Sequence, residues 1–494
     1  MIIDYLKELI LQNFGFSPTK EQGKVVDSLC EFILSKNQDG VFVLRGFAGT
    51  GKTSLVGALV KTMEQLQRNC VLMAPTGRAA KVFALYSDHP AYTIHKRIYR
   101  QKSIDKDSIF SLNFNMMKNV LFIADEASMI SNEGLSGSIY GTGRLLDDLI
   151  HFVYGGQGCR LILIGDTAQL PPVGEGESPA LNPMNLEGFG LNVTCHTLTE
   201  VIRQKEESGI LWNATRLRRM IESEDIFALP KIRFEGFADV HNISGNELIE
   251  TISNSYSRDG IDETMIVCRS NKRAHIYNNG IRNQILWKEE ELSTGDILMI
   301  AKNNYYWSEI ENSAKTENSN EKNEGQADKE DFTIDFIANG DTAVVERIRN
   351  IRELYGFRFA DCLLRFPDYK DYEMETTVLL DTLHAEAPAL TYEQNEKLYN
   401  SVMEDYMDIP NKKDRLKALK NDPYYNALQI KYAYAVTCHK AQGGQWENVF
   451  IDQGYMTEDM LGPDYFRWLY TAFTRAKKQV FLVNWKEEQT LRNE

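Results

Sequence analysis

The sequence predicts an α/β fold: two domains, each a parallel sheet covered by helices, with small inserted subdomains, one of them partly β. Three observations carry this expectation. Short all-apolar runs recur through the first 200 residues, namely VFVL (41–44), CVLM (70–73), VLFI (120–123) and LILI (161–164), separated by helical stretches. Strands buried on both faces of a covered parallel sheet read this way. The rhythm returns late, in MIVC (265–268), YAVT (434–437), NVFI (448–451) and VFLV (480–483), the last two flanking a helical stretch around 459–478. Between about 290 and 430 the texture changes, with turn signals at Gly295-Asp296 and Asn339-Gly340-Asp341 beside β-rich pieces such as TAVVERI.

These elements divide the 494 residues into a first α/β domain, 1–200, interrupted by a small insert at about 92–115. A second α/β domain takes 201–293 and 430–494, and the partly β insert takes 294–429. Within that insert, 309–331 holds eight acidic and three basic residues and few apolar ones, so it is expected to stay disordered.

Bulk properties exclude several classes. The first segment, MIIDYLKELILQNFGF, carries Asp4 and Glu8 inside its apolar stretch and has neither a basic leader nor a small-residue cleavage site, so it does not read as a signal peptide. No run approaches the length of a membrane span. The seven cysteines are scattered without a C-x-x-C pair, which argues against zinc, an iron–sulfur cluster or a disulfide framework and fits a reducing cytoplasm. The net charge of −15 opposes a phosphate-rich partner. Two windows, 309–331 and 386–408, contribute −5 each, which leaves the remainder near balance and able to present a local basic track.

The chemistry starts at GFAGTGKT. Gly46, Gly51, Lys52 and Thr53 satisfy the P-loop pattern G-x-x-x-x-G-K-[ST] between a strand and the helical SLVGALVKTMEQLQ. In such a loop the backbone N–H groups, here through Ala48, Gly49, Thr50 and Ser54, wrap phosphates. The lysine meets the β and γ oxygens and the hydroxyl of Thr53 binds magnesium, which makes ATP and Mg2+ the expected cofactors. Asp125 and Glu126 end the run VLFIA at a strand tip, where Asp suits magnesium and Glu suits polarising water. A third tip, GDTAQLPPVG, presents Asp166 and Gln169, which can sense a γ-phosphate or position water.

Six ordered motifs, GFAGTGKT, APTGRAAK (74–81), DEASM (125–129), GDTAQLPPVG (165–174), VTCHKAQGGQW (436–446) and YTAFTRAKK (470–478), resemble those of the RecD-like superfamily 1 DNA helicases that move 5′ to 3′. The resemblance runs from PTKEQ at 18–22 to Arg475 and implies two RecA-like P-loop domains, with an SH3 or barrel-like character for the β insert. It implies that Gln22 reads the adenine edge and that Lys52, Thr53, Asp125, Glu126 and Gln169 hold or hydrolyse the triphosphate, with Gly443 also near the nucleotide. Arg203 and Arg475 would reach the γ-phosphate from the second domain as cationic fingers. Pro75, Thr76, Gly77, Arg78, Thr93 and His95 resemble single-strand contacts on the first domain, and Thr437, His439, Lys440 and Gln442 those on the second. Tyr92, Tyr99 and Trp446 are candidates for base stacking. The basic insert HKRIYRQKSIDKDSIF (95–110) sits where the family places a duplex-splitting wedge.

The sequence departs from that pattern at GGQW (443–446), where a doubled glycine and a tryptophan follow the Lys-Ala-Gln-Gly core, and at the acidic segment inside the barrel-like insert. The implied activity is ATP-driven movement on single-stranded DNA and unwinding at junctions by a monomer, with roles in DNA repair, recombination or replication. Two rivals stand beside it: another P-loop enzyme such as a small-molecule kinase, and a single-strand-binding ATPase that loads or remodels without unwinding. No nuclease constellation is visible.

Overall fold

The computed structural model describes residues 2–101, 110–134, 140–201, 208–223, 226, 228–311, 336–457 and 460–492. They form two compact units: one from 1–245 with 441–494, the other from 246–440. The late strands expected in the second α/β domain therefore fall in both units, a division that differs from the boundaries expected above.

The first unit opens with α1 (Ile2–Phe14) and α2 (Lys20–Leu34), then β1 (Gly40–Gly46), α3 (Lys52–Gln65), β2 (Cys70–Ala74), α4 (Gly77–Ser87) and β3 (Ala91–Thr93). Strands β4 (Leu121–Ala124), β5 (Arg160–Gly165) and β6 (Asn192–Leu198) complete a six-stranded sheet in the order β3-β2-β4-β5-β1-β6. All of its pairings are parallel. The apolar runs have their explanation here: Phe42 and Leu44 of β1 enter one core with α1, α2 and α3, while Val41 and Val43 enter another on the opposite face. Sequential crossovers in an open parallel sheet leave the loops after the strands at one edge, where ligands gather.

Local signals set the helix starts. Thr19 and Gln22 form a capping box on α2, satisfying two otherwise unpaired N–H groups. The expected insert after β3 contains an antiparallel pair, Tyr99–Gln101 with Phe110–Leu112, and the residues between them lie outside those described. Three further parallel strands, Val240–Ile243, Ala476–Val483 and Trp446–Asp452, pair in that order within the same unit.

In the second unit Thr264–Cys268 pairs in parallel with Ala435–Thr437. The β insert is a closed five-stranded barrel of Ile297–Ile300, Thr342–Leu354, Phe357–Phe366, Tyr372–Leu379 and Leu428–Tyr432. Its longest hairpin turns at Tyr355 and Gly356, with φ of 57° and 71°, the paired positive values that a tight hairpin matching strand twist requires. Helix Tyr392–Glu404 packs Leu398 and Val402 onto the barrel's Phe357 and Phe359, so part of the acidic 386–408 window is an ordered amphipathic helix. Most of the acidic segment 309–331 lies outside the described residues. The fold is thus two parallel α/β layers with a small barrel inserted, as the sequence predicted.

Candidate nucleotide and strand site

β1 ends in Gly46 and α3 begins at Lys52, and the loop between them turns on Gly49 and Gly51, with φ of 79° and 81°. A Cβ on Gly46 would sit 2.9 Å from Lys52 Cδ, so the lysine stem needs that glycine. The Lys52 ammonium donates to the Gly46 carbonyl at 2.7 Å and the Phe47 carbonyl at 2.9 Å. Folded back in this way it holds the loop closed on itself, and it is poised to exchange two carbonyls for phosphate oxygens. Thr53 and Ser54 follow in the first turn of α3.

Asp125 and Glu126 follow β4. Glu126 adopts φ 50° and ψ 38°, a left-handed conformation that costs a non-glycine residue roughly 1 kcal/mol or more. Its backbone N–H donates to Asp125 Oδ1 at 2.8 Å. Burial, and then the adjacent Glu126 carboxylate, push Asp125 up to about 7, against the pull of Lys52. The two carboxylates form one crowded pair at this strand tip. With Thr53 it offers the few hard oxygen ligands that magnesium takes alongside phosphate and water, so these residues fit the ion.

Asp166 and Gln169 follow β5. Gln169 is 6% exposed and its Oε1 has no hydrogen-bond donor among the described residues, which leaves a buried acceptor suited to a reacting water. Asp166 is held by Tyr470, whose hydroxyl donates to Oδ2 at 2.6 Å and accepts from the Ala48 N–H of the P-loop at 3.1 Å. Burial, then the Asp166 charge, raise that hydroxyl, so it stays a donor. At the next residue of the same helix, Thr471 Oγ1 accepts from Leu170 N–H at 2.9 Å, and Gln442 Nε2 donates to the Leu170 carbonyl at 2.8 Å. The YTAFTRAKK helix therefore grips two strand tips at once.

Several expected contacts are placed otherwise. Gln22 is 1% exposed, its Oε1 accepting from Thr19 N–H at 3.0 Å and its Nε2 donating to the Thr50 carbonyl at 3.1 Å. In this arrangement it braces the P-loop against α2 and does not present an edge to a base. Arg475 is 3% exposed and spends its guanidinium on Thr471 O, Gly444 O and Thr474 Oγ1, so it is a positioning group here and not a free finger. Arg203 lies outside the described residues. An arginine that sequence reading passed over, Arg218, sits 4.1 Å from the Phe47 ring and donates to the Thr199 carbonyl. It shares the buried face of helix Gly209–Glu222 with Ile210, Ala214 and Leu217, and a cation on an apolar stripe was the signal available.

Among the residues expected to contact a strand, Pro75 precedes Thr76, which caps α4 by accepting from Ala79 N–H at 3.2 Å, and Gly77 and Arg78 start that helix. Thr93 caps helix Ile94–Ile98 in the same way. His95 packs against Tyr99 and Tyr140, and burial holds it down to about 4, so it is neutral near pH 7 and offers no charge to a phosphate. Trp446 is 2% exposed with the Arg78 guanidinium 4.2 Å from its ring centroid, which corrects its expected role as a base-stacking surface. Gln442, bonded to Leu170, is likewise buried. The doubled glycine explains the pair: a Cβ on Gly443 would lie 3.0 Å from the Ala79 Cβ, and one on Gly444 2.6 Å from Trp446 Cη2 and 2.9 Å from Arg78 Nε. Gly443 thus lies against α4. In the second unit Thr437 and Lys440 line a cleft beside His275, and His439 is exposed.

A P-loop, a carboxylate tip, and a third tip clasped by a distant helix define a nucleoside-triphosphatase motor core. Residues 19–226 match the AAA domain, and residues 432–483 match the UvrD-like helicase C-terminal domain. A protein of Methanocaldococcus jannaschii of uncharacterised function is 26% identical over 96% of this chain, which spans only 39% of that relative. The ATP-dependent RecD2 DNA helicase of Deinococcus radiodurans is 28% identical over 39% of the chain and 23% of its own length. The ATP-dependent DNA helicase dda of Enterobacteria phage T4 is 23% identical over 89% of the chain and 93% of its own length. A Pif1 helicase from Bacteroides, solved with ADP-AlF3 and single-stranded DNA, aligns over 97% of the chain and 95% of its own, at 14% identity and a TM-score of 0.47. The chain thus carries an AAA domain and a UvrD-like helicase C-terminal domain and is similar to RecD-like DNA helicases.

Proposed function

We propose that this chain hydrolyses ATP to move 5′ to 3′ along single-stranded DNA and to separate duplex at a junction. The observation that carries the reading is the Tyr470 bridge: one hydroxyl from the last helical motif ties the P-loop amide of Ala48 to Asp166. A motor needs phosphate occupancy to be felt by a second element, and this hydrogen-bonded link supplies the coupling.

In the reaction, Lys52 leaves the Gly46 and Phe47 carbonyls for the phosphates, and Glu126 takes the proton of the attacking water as Gln169 Oε1 orients it. Thr53 and Asp125 would hold magnesium, which supplies charge neutralisation on the triphosphate. Arg218 lies against Phe47 of the P-loop, whereas the Arg475 guanidinium is bonded to Thr471, Gly444 and Thr474. Fork DNA with a single 5′ or 3′ tail tests the reading. Strand separation from the 5′ tail alone, abolished in Lys52→Ala, is expected. Separation from the 3′ tail overturns the polarity, and DNA-stimulated ATP turnover without separation from either tail favours the loading or remodelling ATPase.

A further inference from the structure

The first unit holds a hollow beside the P-loop that the phosphate chemistry leaves unused. Its walls come from the segment after β6 and from helix Gly209–Glu222, and its volume of about 690 Å³ falls in the range of roughly 300–1,000 Å³ typical of small-molecule sites. A Cβ on Gly49 would lie 3.2 Å from Val201 Cγ1 and 3.7 Å from Leu211 Cδ2, and Arg218 covers the Phe47 ring. Val201, Leu211 and Arg218 also line the hollow, so a group joined to phosphates in the loop has its adjoining space here.

The hollow offers flat faces and donors. Trp212 lines it with an indole, and Arg216 and Arg218 with guanidinium groups. The Nε atoms of both arginines are buried without a hydrogen-bond acceptor among the described residues, and Arg218 Nε stands 3.8 Å from the Glu222 carboxylate. Planar cations and indoles stack on the face of any base. Groups able to read a base edge are mostly committed elsewhere. Thr199 N–H and Oγ1 both donate to Glu21, at 2.7 and 2.6 Å, and Ser223 Oγ donates to the Arg219 carbonyl at 2.8 Å. Gln22, beside Glu21 on α2, is buried with both ends of its amide engaged, by Thr19 and by Thr50. Choosing adenine over guanine takes an acceptor for the adenine amino group, at the position where guanine presents an oxygen. Guanidinium groups only donate, the Thr215 hydroxyl does either, and the Glu200 carboxylate is exposed, where water competes for it.

We infer that this hollow holds the nucleobase by its face and does not select adenine, so that GTP serves as a substrate alongside ATP. Pyrimidine triphosphates serve more weakly, because their single rings offer less face to stack. Gln22 then acts as a brace for the P-loop and not as a reader of the base. The inference rests on the reading of the chain as a triphosphate-driven motor and states which triphosphates drive it.

The test uses the full chain with oligo-dT and measures phosphate release from ATP, GTP, CTP and UTP at equal magnesium. A site built to bond one edge rejects the analogue that lacks it by about 10⁴-fold, whereas here kcat/KM for GTP is expected within about ten-fold of that for ATP. A larger preference for ATP overturns the inference and leaves the motor reading standing. Arg216→Met is expected to raise KM for ATP and GTP by the same factor, about five-fold, with kcat little changed. Arg216→Lys keeps the charge but loses the planar face, so it is expected to be as poor; full rescue by it overturns the stacking role. Wild-type KM values in an Arg216→Met protein that melts like wild type overturn the placement of the base in this hollow. If Arg216→Met melts early, the ratio of ATP to GTP turnover in Gln22→Ala decides, because a ratio cancels a general loss of folded protein. A ratio moved more than about ten-fold shows Gln22 reading the base and overturns the inference, and an unchanged ratio upholds it. Wild-type protein that turns over no triphosphate with oligo-dT present overturns both readings.

Discussion

Asp125 shows how a single residue trades stability for chemistry. Its carboxyl is raised above its ordinary value of about 3.9, so the folded chain keeps a proton that the unfolded chain gives up. Between those two values stability falls as pH rises, and above both the penalty is constant. Asparagine cannot ionise, so the melting advantage of Asp125→Asn over wild type should be larger at pH 8 than at pH 5, while ATP turnover is lost. Melting curves without nucleotide at the two pH values check this; an advantage that shrinks at pH 8 would contradict it. Tyr470 is the complementary case. Tyr470→Phe strips Asp166 of a buried donor and Ala48 N–H of its acceptor, a loss of about 1–3 kcal/mol. Since the hydroxyl bonds the Ala48 N–H of the P-loop and the Asp166 carboxylate, DNA-stimulated kcat should fall about ten-fold with KM for ATP little changed. A rise in KM alone would instead place the hydroxyl on the nucleotide.

At the scale of elements, what the sequence made legible follows from how each element is buried. β1, β2, β4 and β5 lie inside the sheet, need apolar residues on both faces, and were readable as unbroken runs. β6 is an edge strand with one neighbour, so NVTCHTL carries exposed polar positions and gave no such signal. The P-loop was legible because its spacing is local. The clasp of Tyr470, Thr471 and Gln442 on the loop after β5 was not, since those partners stand 272 to 304 residues away in sequence. Trp446 misled for the same reason: nothing local says that Arg78 covers its ring. The doubled glycine gives a direct test at this scale. Gly444→Ala would drive a methyl against Trp446 and Arg78 and should cost about 1–3 kcal/mol as an overpacked site. Denaturant unfolding measures that cost; a neutral substitution would mean that the stack yields freely.

For the whole molecule, the tension is between a net charge of −15 and a polyanionic track. The two act over different ranges. Cations that meet the strand release counterions on contact, so affinity must fall with salt. The net charge acts during approach, and its reach follows the screening length, about 30 Å at 0.01 M and about 10 Å at 0.1 M. At low salt the approaching strand meets the field of the whole acidic chain, while at 0.1 M it meets mainly the groups it will touch. Association of oligo-dT should therefore speed up, by about two-fold or more, between 0.01 and 0.1 M salt, even as equilibrium binding weakens through faster dissociation. Stopped-flow measurement of both rate constants separates the two effects. Association that slows steadily from the lowest salt would show that a basic track steers the strand from a distance and that the acidic windows at 309–331 and 386–408 do not oppose it.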